Sequence, residues 1–270
     1  MSGSCFSEWD AMQEMTADDE RLALQALSLL DLFAFSSDDT EQRIVALCQR
    51  AVTPLGAIAA VCVSPRFVCL ARTTLDRLQA PDVRVVALAN FPYGGPGIEP
   101  VVAEVRAAVM SGADEIDVVY PFRTLLSGDQ QTGMDMITAC KAACGSRVAL
   151  TVTLETGDLR DPQIILQACR SAILCGADFL KTSTGRGLAG TTPQAVRIVL
   201  ESIAEVGGQV GFKVAGGVRT FTDARGFMDM ARSRFGPHWI NVDRVRFGSS
   251  ALLDDVLVRL GVLESGLGKS

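Results

Sequence analysis

Three charged residues stand near the C-terminal ends of three apolar-rich runs: Asp117 in ADEIDVVY (113–120), Lys181 in ADFLKTST (177–184) and Lys213 in QVGFKVAGG (209–217). A charge within a buried strand is unfavourable unless it is paired or put to use. Strand side chains alternate faces. Glu115, Asp117 and Val119 therefore share a face, as do Phe179, Lys181 and Ser183, and Lys213 and Ala215. The chemistry such a set suits is amine catalysis. A lysine must be neutral to attack a carbonyl, and a second cation nearby disfavours its charged form. Two ammonium groups about 6 Å apart at an effective dielectric of about 20 repel by roughly 3 kcal/mol. Lys213 is thus expected to keep Lys181 neutral. Asp117 is expected to move protons as a carbinolamine forms and dehydrates.

A second group of residues suits an anion. Gly216 and Gly217 close the run that holds Lys213, and Gly248, Ser249 and Ser250 close RVRFGSS (244–250). Free backbone N–H groups and the start of a final helix favour negative charge there. Thr184, Gly185 and Arg186 are expected to contribute from the segment after Lys181. The chain carries a formal net charge of −6, so an anionic substrate needs such a local site. The same acidity argues against nucleic acid and anionic membranes as partners, since both favour a basic face.

The elements that must position these residues follow from periodicity. Eight short apolar runs, at 29–35, 56–64, 83–91, 113–120, 147–155, 177–184, 209–217 and 244–250, alternate with amphipathic stretches. In one of these stretches Val101, Val105, Ala108 and Val109 share a helical face. Strand–helix alternation repeated eight times predicts parallel strands joined by right-handed crossovers and closed into an α/β, (β/α)8 TIM barrel. The chemistry then belongs at the C-terminal ends of the strands. An open doubly wound sheet would place a glycine-rich loop after the first strand, where FAFSSDDT has no glycine. The expected organisation is an N-terminal extension over 1–28, with a helix over 7–28 covering the barrel bottom. A single catalytic barrel follows over 29–263, with its last helix over 250–262, and then a flexible tail over 264–270.

The chain has 270 residues, 48% hydrophobic and 21% charged, a globular composition sufficient for one such barrel. No apolar run reaches membrane-spanning length, and the first residues lack the basic region of a signal peptide, so a cytoplasmic location is expected. The eight cysteines contain no CxxC pair and are read as buried thiols. Cys140 and Cys144 lie four apart without a nearby histidine, and the single histidine, His238, sits in FGPHW. No metal site and no cofactor are expected.

The segments GADEIDVVYP, ADFLKTSTG, GFKVAGGVRT and RFGSS resemble deoxyribose-phosphate aldolase, in the same order and spacing from about Leu29 to Leu263. The resemblance implies a TIM barrel that reversibly cleaves 2-deoxy-D-ribose 5-phosphate to D-glyceraldehyde 3-phosphate and acetaldehyde, within deoxyribonucleotide catabolism. It implies that Lys181 is the Schiff-base lysine, Asp117 and Lys213 the proton-transfer pair, and Gly185, Gly216, Gly217, Ser249 and Ser250 the phosphate site. Asp31 and Cys62 match positions near the substrate, although Cys62 also reads as a small buried hydrophobe. The partners implied are a small phosphorylated sugar and an aldehyde; assembly as a homodimer is left open.

The sequence departs from that family at four places. Phe33 stands where the family usually has threonine, Thr151 where it has lysine and Arg186 where it often has lysine, and the tail lacks a tyrosine found in some members. Phe33 leaves a different acceptor aldehyde open, and Thr151 changes the field inside the barrel by one charge. Two alternatives remain at this point: a Schiff-base aldolase on another phosphorylated sugar or a keto acid, and a non-catalytic barrel that binds sugar phosphates.

Overall fold

The computed structural model describes residues 16–36, 38–187 and 190–263. Eight parallel strands close into a barrel: β1 (Leu30–Ala34), β2 (Ala60–Val63), β3 (Arg84–Ala89), β4 (Glu115–Val119), β5 (Ala149–Thr153), β6 (Phe179–Lys181), β7 (Gly211–Ala215) and β8 (Val245–Gly248). β1 pairs with both β2 and β8, so no edge is left open. The cause is visible in the strands. Ile116 and Val118 of β4, Val245 and Phe247 of β8 and their equivalents are buried in one continuous apolar core with the helices. The alternate positions turn into the barrel. There Ala60, Cys62, Val86 and Leu88 form a small separate apolar cluster, and β4, β6, β7 and β8 contribute Asp117, Lys181, Lys213 and Arg246.

The register sets the height of each inward side chain. Lys181 is the Cα partner of Lys213 on one side and of Thr153 on the other. Asp117 is partnered with Thr151, and Arg246 with Lys213. Helix starts are marked by side-chain caps that accept backbone N–H groups. Thr192 caps Pro193–Glu205, Thr220 forms a capping box with Asp223, and Ser249 caps Ser250–Arg259.

Several expected boundaries shift. The run at 56–64 divides: Gly56–Ala57 pairs antiparallel with Val52–Thr53 as a small hairpin, and only Ala60–Val63 enters the barrel. Gly56, with φ of +128°, opens the hairpin strand, and the break falls at Ile58 and Ala59. The seventh strand stops at Ala215 because Gly216 and Gly217 have φ of +76° and +92°. The N-terminal helix covers Ala17–Ser28 behind the cap residue Thr16, and the expected helical residues 7–15 lie outside the described residues, as does the tail 264–270. This helix packs on the flank formed by Phe221–Phe235 and Ser250–Arg259. It reaches the N-terminal end of the barrel through Gln25, which donates to the Ile240 carbonyl at 2.8 Å. The last helix ends at Arg259 rather than 262.

Of the cysteines, Cys48, Cys62, Cys140, Cys144 and Cys169 are buried, Cys175 is half-buried and Cys69 is exposed. Cys69 departs from expectation because Val68, Ala71 and Leu75 take the inner face of its helix. Cys5 lies outside the described residues. Among the described residues no helix is long and apolar enough to cross a membrane.

Candidate active site

Lys181 ends β6 and is buried, and its Nζ lies 2.6 Å from Asp117 Oδ2. The other carboxylate oxygen of Asp117 accepts from Thr153 Oγ1 at 2.5 Å. This follows from register: Thr153 stands beside Lys181 on β5, and the hydroxyl fixes the carboxylate so that one oxygen faces the amine. Phe33 of β1 completes the surroundings, with its ring centroid 4.5 Å from Lys181 Nζ.

Lys213 projects from the next strand but does not share the Asp117 carboxylate. Its Nζ lies 2.7 Å from Glu115 Oε2 and 3.4 Å from Asp31 Oδ2. Arg246, fully buried, closes the same group, with 2.9 Å to Asp31 Oδ1 and 3.0 Å to Glu115 Oε1. Arg84 adds 2.9 Å to Glu115 Oε1 and reaches Asp243 at 2.5 Å. Buried charges persist only when paired and hydrogen-bonded, and here each finds an opposite charge. Burial pushes the Glu115 carboxyl up, but the Lys213 and Arg246 cations outweigh it and hold it well below the usual carboxylate range. Burial pulls Lys213 down, but the carboxylates of Asp31 and Glu115 outweigh it, so the ammonium form is favoured. Lys213 stands on the strand next to Lys181, as expected of a second cation, but each lysine closes on its own carboxylate.

Asp31 sits in the barrel as a partner of Lys213 and Arg246, with both oxygens engaged. Cys62 is buried beside it. Burial first, and then the Asp31 carboxylate, raise its thiol well above the usual range, so it stays a neutral S–H. Thr151 is also fully buried, and its hydroxyl has no hydrogen-bond partner among the described residues.

A cavity of about 300 Å³ is lined by Gly185, Gly216, Gly217, Ser249 and Ser250 together with Phe33 and Phe35, and Phe33 joins it to Lys181. These five glycines and serines, with Thr184 and Gly248, are brought together as expected of an anion site, whereas Arg186, also expected there, is not among the lining residues. A Cβ on Gly216 would stand 3.3 Å from Ser183 Oγ, and one on Gly185 3.8 Å from Gly216 N. The two loops thus meet backbone to backbone, which is how amide groups are presented to an anion. Ser249 Oγ accepts from Leu252 N at 3.1 Å, so its side chain caps the helix. Arg186 stacks on Phe35, 4.8 Å from its ring centroid.

Sequence reasoning missed Arg246, Arg84, Thr153 and Glu155. Arg246 was findable, since Val245 and Phe247 flank it and force it inward. Glu155, at the end of β5, has φ of +57° and is buried. Its carboxylate accepts the backbone N–H of Thr184, tying down the segment that follows Lys181, and burial raises its carboxyl above the ordinary value.

A barrel whose charged ladder ends in a lysine–aspartate contact beside a glycine-lined cavity has relatives. The sequence pattern of the DeoC/LacD family aldolases matches residues 25–253. The chain belongs to this aldolase family. Solved structures are similar to it as well. One, described as a candidate deoxyribose-phosphate aldolase from Toxoplasma gondii ME49, is 26% identical, with 93% of this chain and 100% of that one covered at a TM-score of 0.82. A candidate deoxyribose-phosphate aldolase from Coccidioides immitis is 26% identical, covering 86% and 85% at 0.73. An aldolase called QR15 is 27% identical, covering 88% and 99% at 0.72. In this DeoC/LacD family aldolase the matched region runs from the N-terminal helix into the last helix, so it includes every element that carries the site.

Proposed function

We propose that the chain is a class I aldolase that reversibly cleaves 2-deoxy-D-ribose 5-phosphate to D-glyceraldehyde 3-phosphate and acetaldehyde. The observation that carries this reading is the buried 2.6 Å contact of Lys181 Nζ with Asp117 Oδ2 beside the glycine-lined cavity. The Lys181 ammonium gives a proton to Asp117, and the amine attacks the aldehyde carbon C1. The carbinolamine loses water, with its hydroxyl taking a proton, and leaves a protonated imine. The C3 hydroxyl gives up its proton, the C2–C3 bond breaks, and its electron pair passes into the imine. Glyceraldehyde 3-phosphate departs, the enamine is protonated at C2, and water releases acetaldehyde. Each proton step needs an acid–base group within hydrogen-bond reach; Asp117 is the group in contact with the amine, and Lys213, paired with Glu115 and Asp31, acts on the amine through the charge of that group. The phosphate takes the Gly185, Gly216 and Gly217 backbone and the start of the final helix. The steps as written call for no cofactor.

The test is to incubate the protein with acetaldehyde, reduce with borohydride and map the product. A two-carbon adduct is expected on Lys181. Modification chiefly at Lys141, Lys213 or Lys269 sinks the assignment, and absence of any adduct revives the non-catalytic sugar-phosphate-binding barrel.

A further inference from the structure

The inner wall of the barrel is chemically split. One side holds the ion pairs of β4, β6, β7 and β8, which Asp31 of β1 and Arg84 of β3 join. The other, formed by the remaining inward residues of β1 to β3, is apolar: Ala60, Cys62, Val86 and Leu88 are buried together, with Phe33, Phe35 and Phe91 packed on them. The three rings form a chain. Phe33 and Phe35 meet edge to face with centroids 5.8 Å apart, and Phe35 and Phe91 are 5.4 Å apart. Phe33 is the link that matters. Its ring is 4.5 Å from Lys181 Nζ, it lines the anion cavity, and a Cβ on Gly248 would stand only 2.7 Å from its Cε2. Gly248 thus makes room for this ring immediately before Ser249 and Ser250. A carbon chain joined to Lys181 at one end and to a phosphate in the cavity at the other must lie along Phe33.

From this geometry we propose that Phe33 is a specificity-determining residue, selecting phosphorylated acceptor aldehydes that carry no hydroxyl on the carbon next to the carbonyl. This rests on the reading of Lys181 as the Schiff-base lysine. The ring offers that carbon an apolar face and no hydrogen-bond donor or acceptor. The nearest inward carboxylate on the same strand, Asp31, has both oxygens engaged by Lys213 and Arg246. A hydroxyl pressed against the ring loses its water partners without replacement, whereas a methylene gains apolar contact. An apolar wall rejects an added hydroxyl by up to about 100-fold. In the favoured synthetic direction the acetaldehyde enamine carbon attacks the aldehyde carbon of 3-oxopropyl phosphate. One C–C bond forms, the aldehyde oxygen takes up a proton, and water hydrolyses the imine to a 2,4-dideoxypentose 5-phosphate. Nothing is oxidised or reduced overall.

The experiment compares kcat/KM for acetaldehyde addition to 3-oxopropyl phosphate and to D-glyceraldehyde 3-phosphate, in wild type, Phe33→Thr and Phe33→Leu. The wild-type ratio should exceed about 5 in favour of the deoxy acceptor, within the range an apolar wall enforces. Phe33→Thr should lower it at least about fivefold, and Phe33→Leu should hold it. A smaller wild-type ratio, or a Thr variant that keeps the full ratio, overturns the proposal; if the Thr variant does not fold, the wild-type ratio alone decides. Borohydride trapping with acetaldehyde on each protein separates the two readings. An adduct on Lys181 with a flat ratio removes only the role of Phe33, while no adduct on Lys181 removes the Schiff-base reading and this one with it.

Discussion

Lys213 and Glu115 meet at 2.7 Å in the centre of the barrel, 98 residues apart in sequence. Their contact decides how the second lysine acts on the first. Lys213 is one member of a group in which Asp31 and Glu115 are opposed by Lys213 and Arg246. Lys181 therefore meets the field of a nearly balanced cluster rather than that of a bare ammonium. Removing any one member unbalances it, and the sign of the imbalance predicts the effect.

Lys213→Leu removes one positive charge and leaves Asp31 and Glu115 short of a partner. The extra negative charge favours the ammonium form of Lys181, so acetaldehyde trapping should need more alkaline solution than in wild type. Breaking a buried pair also costs about 3–5 kcal/mol, which at this chain length is a fall in Tm on the order of 10 °C. Lys213→Arg keeps the charge but does not yield a proton near neutrality. It should trap with the wild-type pH profile, and a loss of turnover beside an unmoved profile would show that Lys213 also moves a proton. A Leu variant with an unmoved profile would show that Lys213 does not govern the amine.

Asp117→Asn changes the balance in the other direction. Lys181 loses the carboxylate at 2.6 Å, and a buried ammonium without a partner is disfavoured. Trapping should then extend to more acidic solution, while turnover falls by about 10²–10⁴ for want of the acid–base group. The two effects have opposite signs, so a variant that merely unfolds cannot imitate them. Near-normal turnover in a folded Asp117→Asn protein would remove Asp117 from the mechanism.

How much of this was legible depended on what kind of information each feature needs. Lys181, Asp117 and Lys213 were visible because a charge amid apolar residues at period two has a definite face. The late glycines and serines were visible because they end strands, and the barrel brings strand ends together. Arg246 carries the same alternation signal between Val245 and Phe247, but its strand has only four residues and a second arginine, Arg244, beside it. Which cation meets which carboxylate was not legible. It depends on the stagger between strands and on side-chain reach, and neither is written in spacing along the chain. The division between Ala57 and Ala60 was hidden because Gly56–Ala57 and Ala60–Val63 read as one apolar run, although they pair in different sheets.

The charged ladder should give the fold a defined response to acid. The Glu115 carboxyl is held below its ordinary value of 4.5 in the folded chain. A depressed carboxylate adds stability that is present above that ordinary value and is lost as pH falls toward the folded one. Lys213 has the opposite sense: its stabilisation is complete below its ordinary value of 10.5 and is lost as pH rises through the folded value. Tm should therefore be flat from about pH 5 to pH 10 as far as this cluster is concerned, and should fall below pH 4.5. Glu115→Gln should lower Tm at neutral pH and flatten the acid limb. An acid limb equally steep in both proteins, measured by thermal unfolding between pH 3 and pH 7, would place the sensitive groups elsewhere.

Ser249 and Ser250 stand together at the anion cavity but should answer differently to removal. Ser249 Oγ accepts the Leu252 N–H, so Ser249→Ala removes a helix cap, a loss of about 1 kcal/mol in stability. The last helix also holds the backbone that lines the cavity, so that variant should lose kcat/KM on phosphorylated and unphosphorylated substrates alike. Ser250 is the first residue of the helix, and its hydroxyl makes no hydrogen bond among the described residues. Ser250→Ala should lower kcat/KM for deoxyribose 5-phosphate by about fivefold or more, as expected for one lost hydrogen bond to a charged group, and leave deoxyribose nearly unchanged. Parallel rates for both sugars in both variants, with Tm measured alongside, separate a cap from an anion contact. Equal losses on the two sugars in Ser250→Ala would mean that the phosphate is held by the backbone amides and the helix start without help from that hydroxyl.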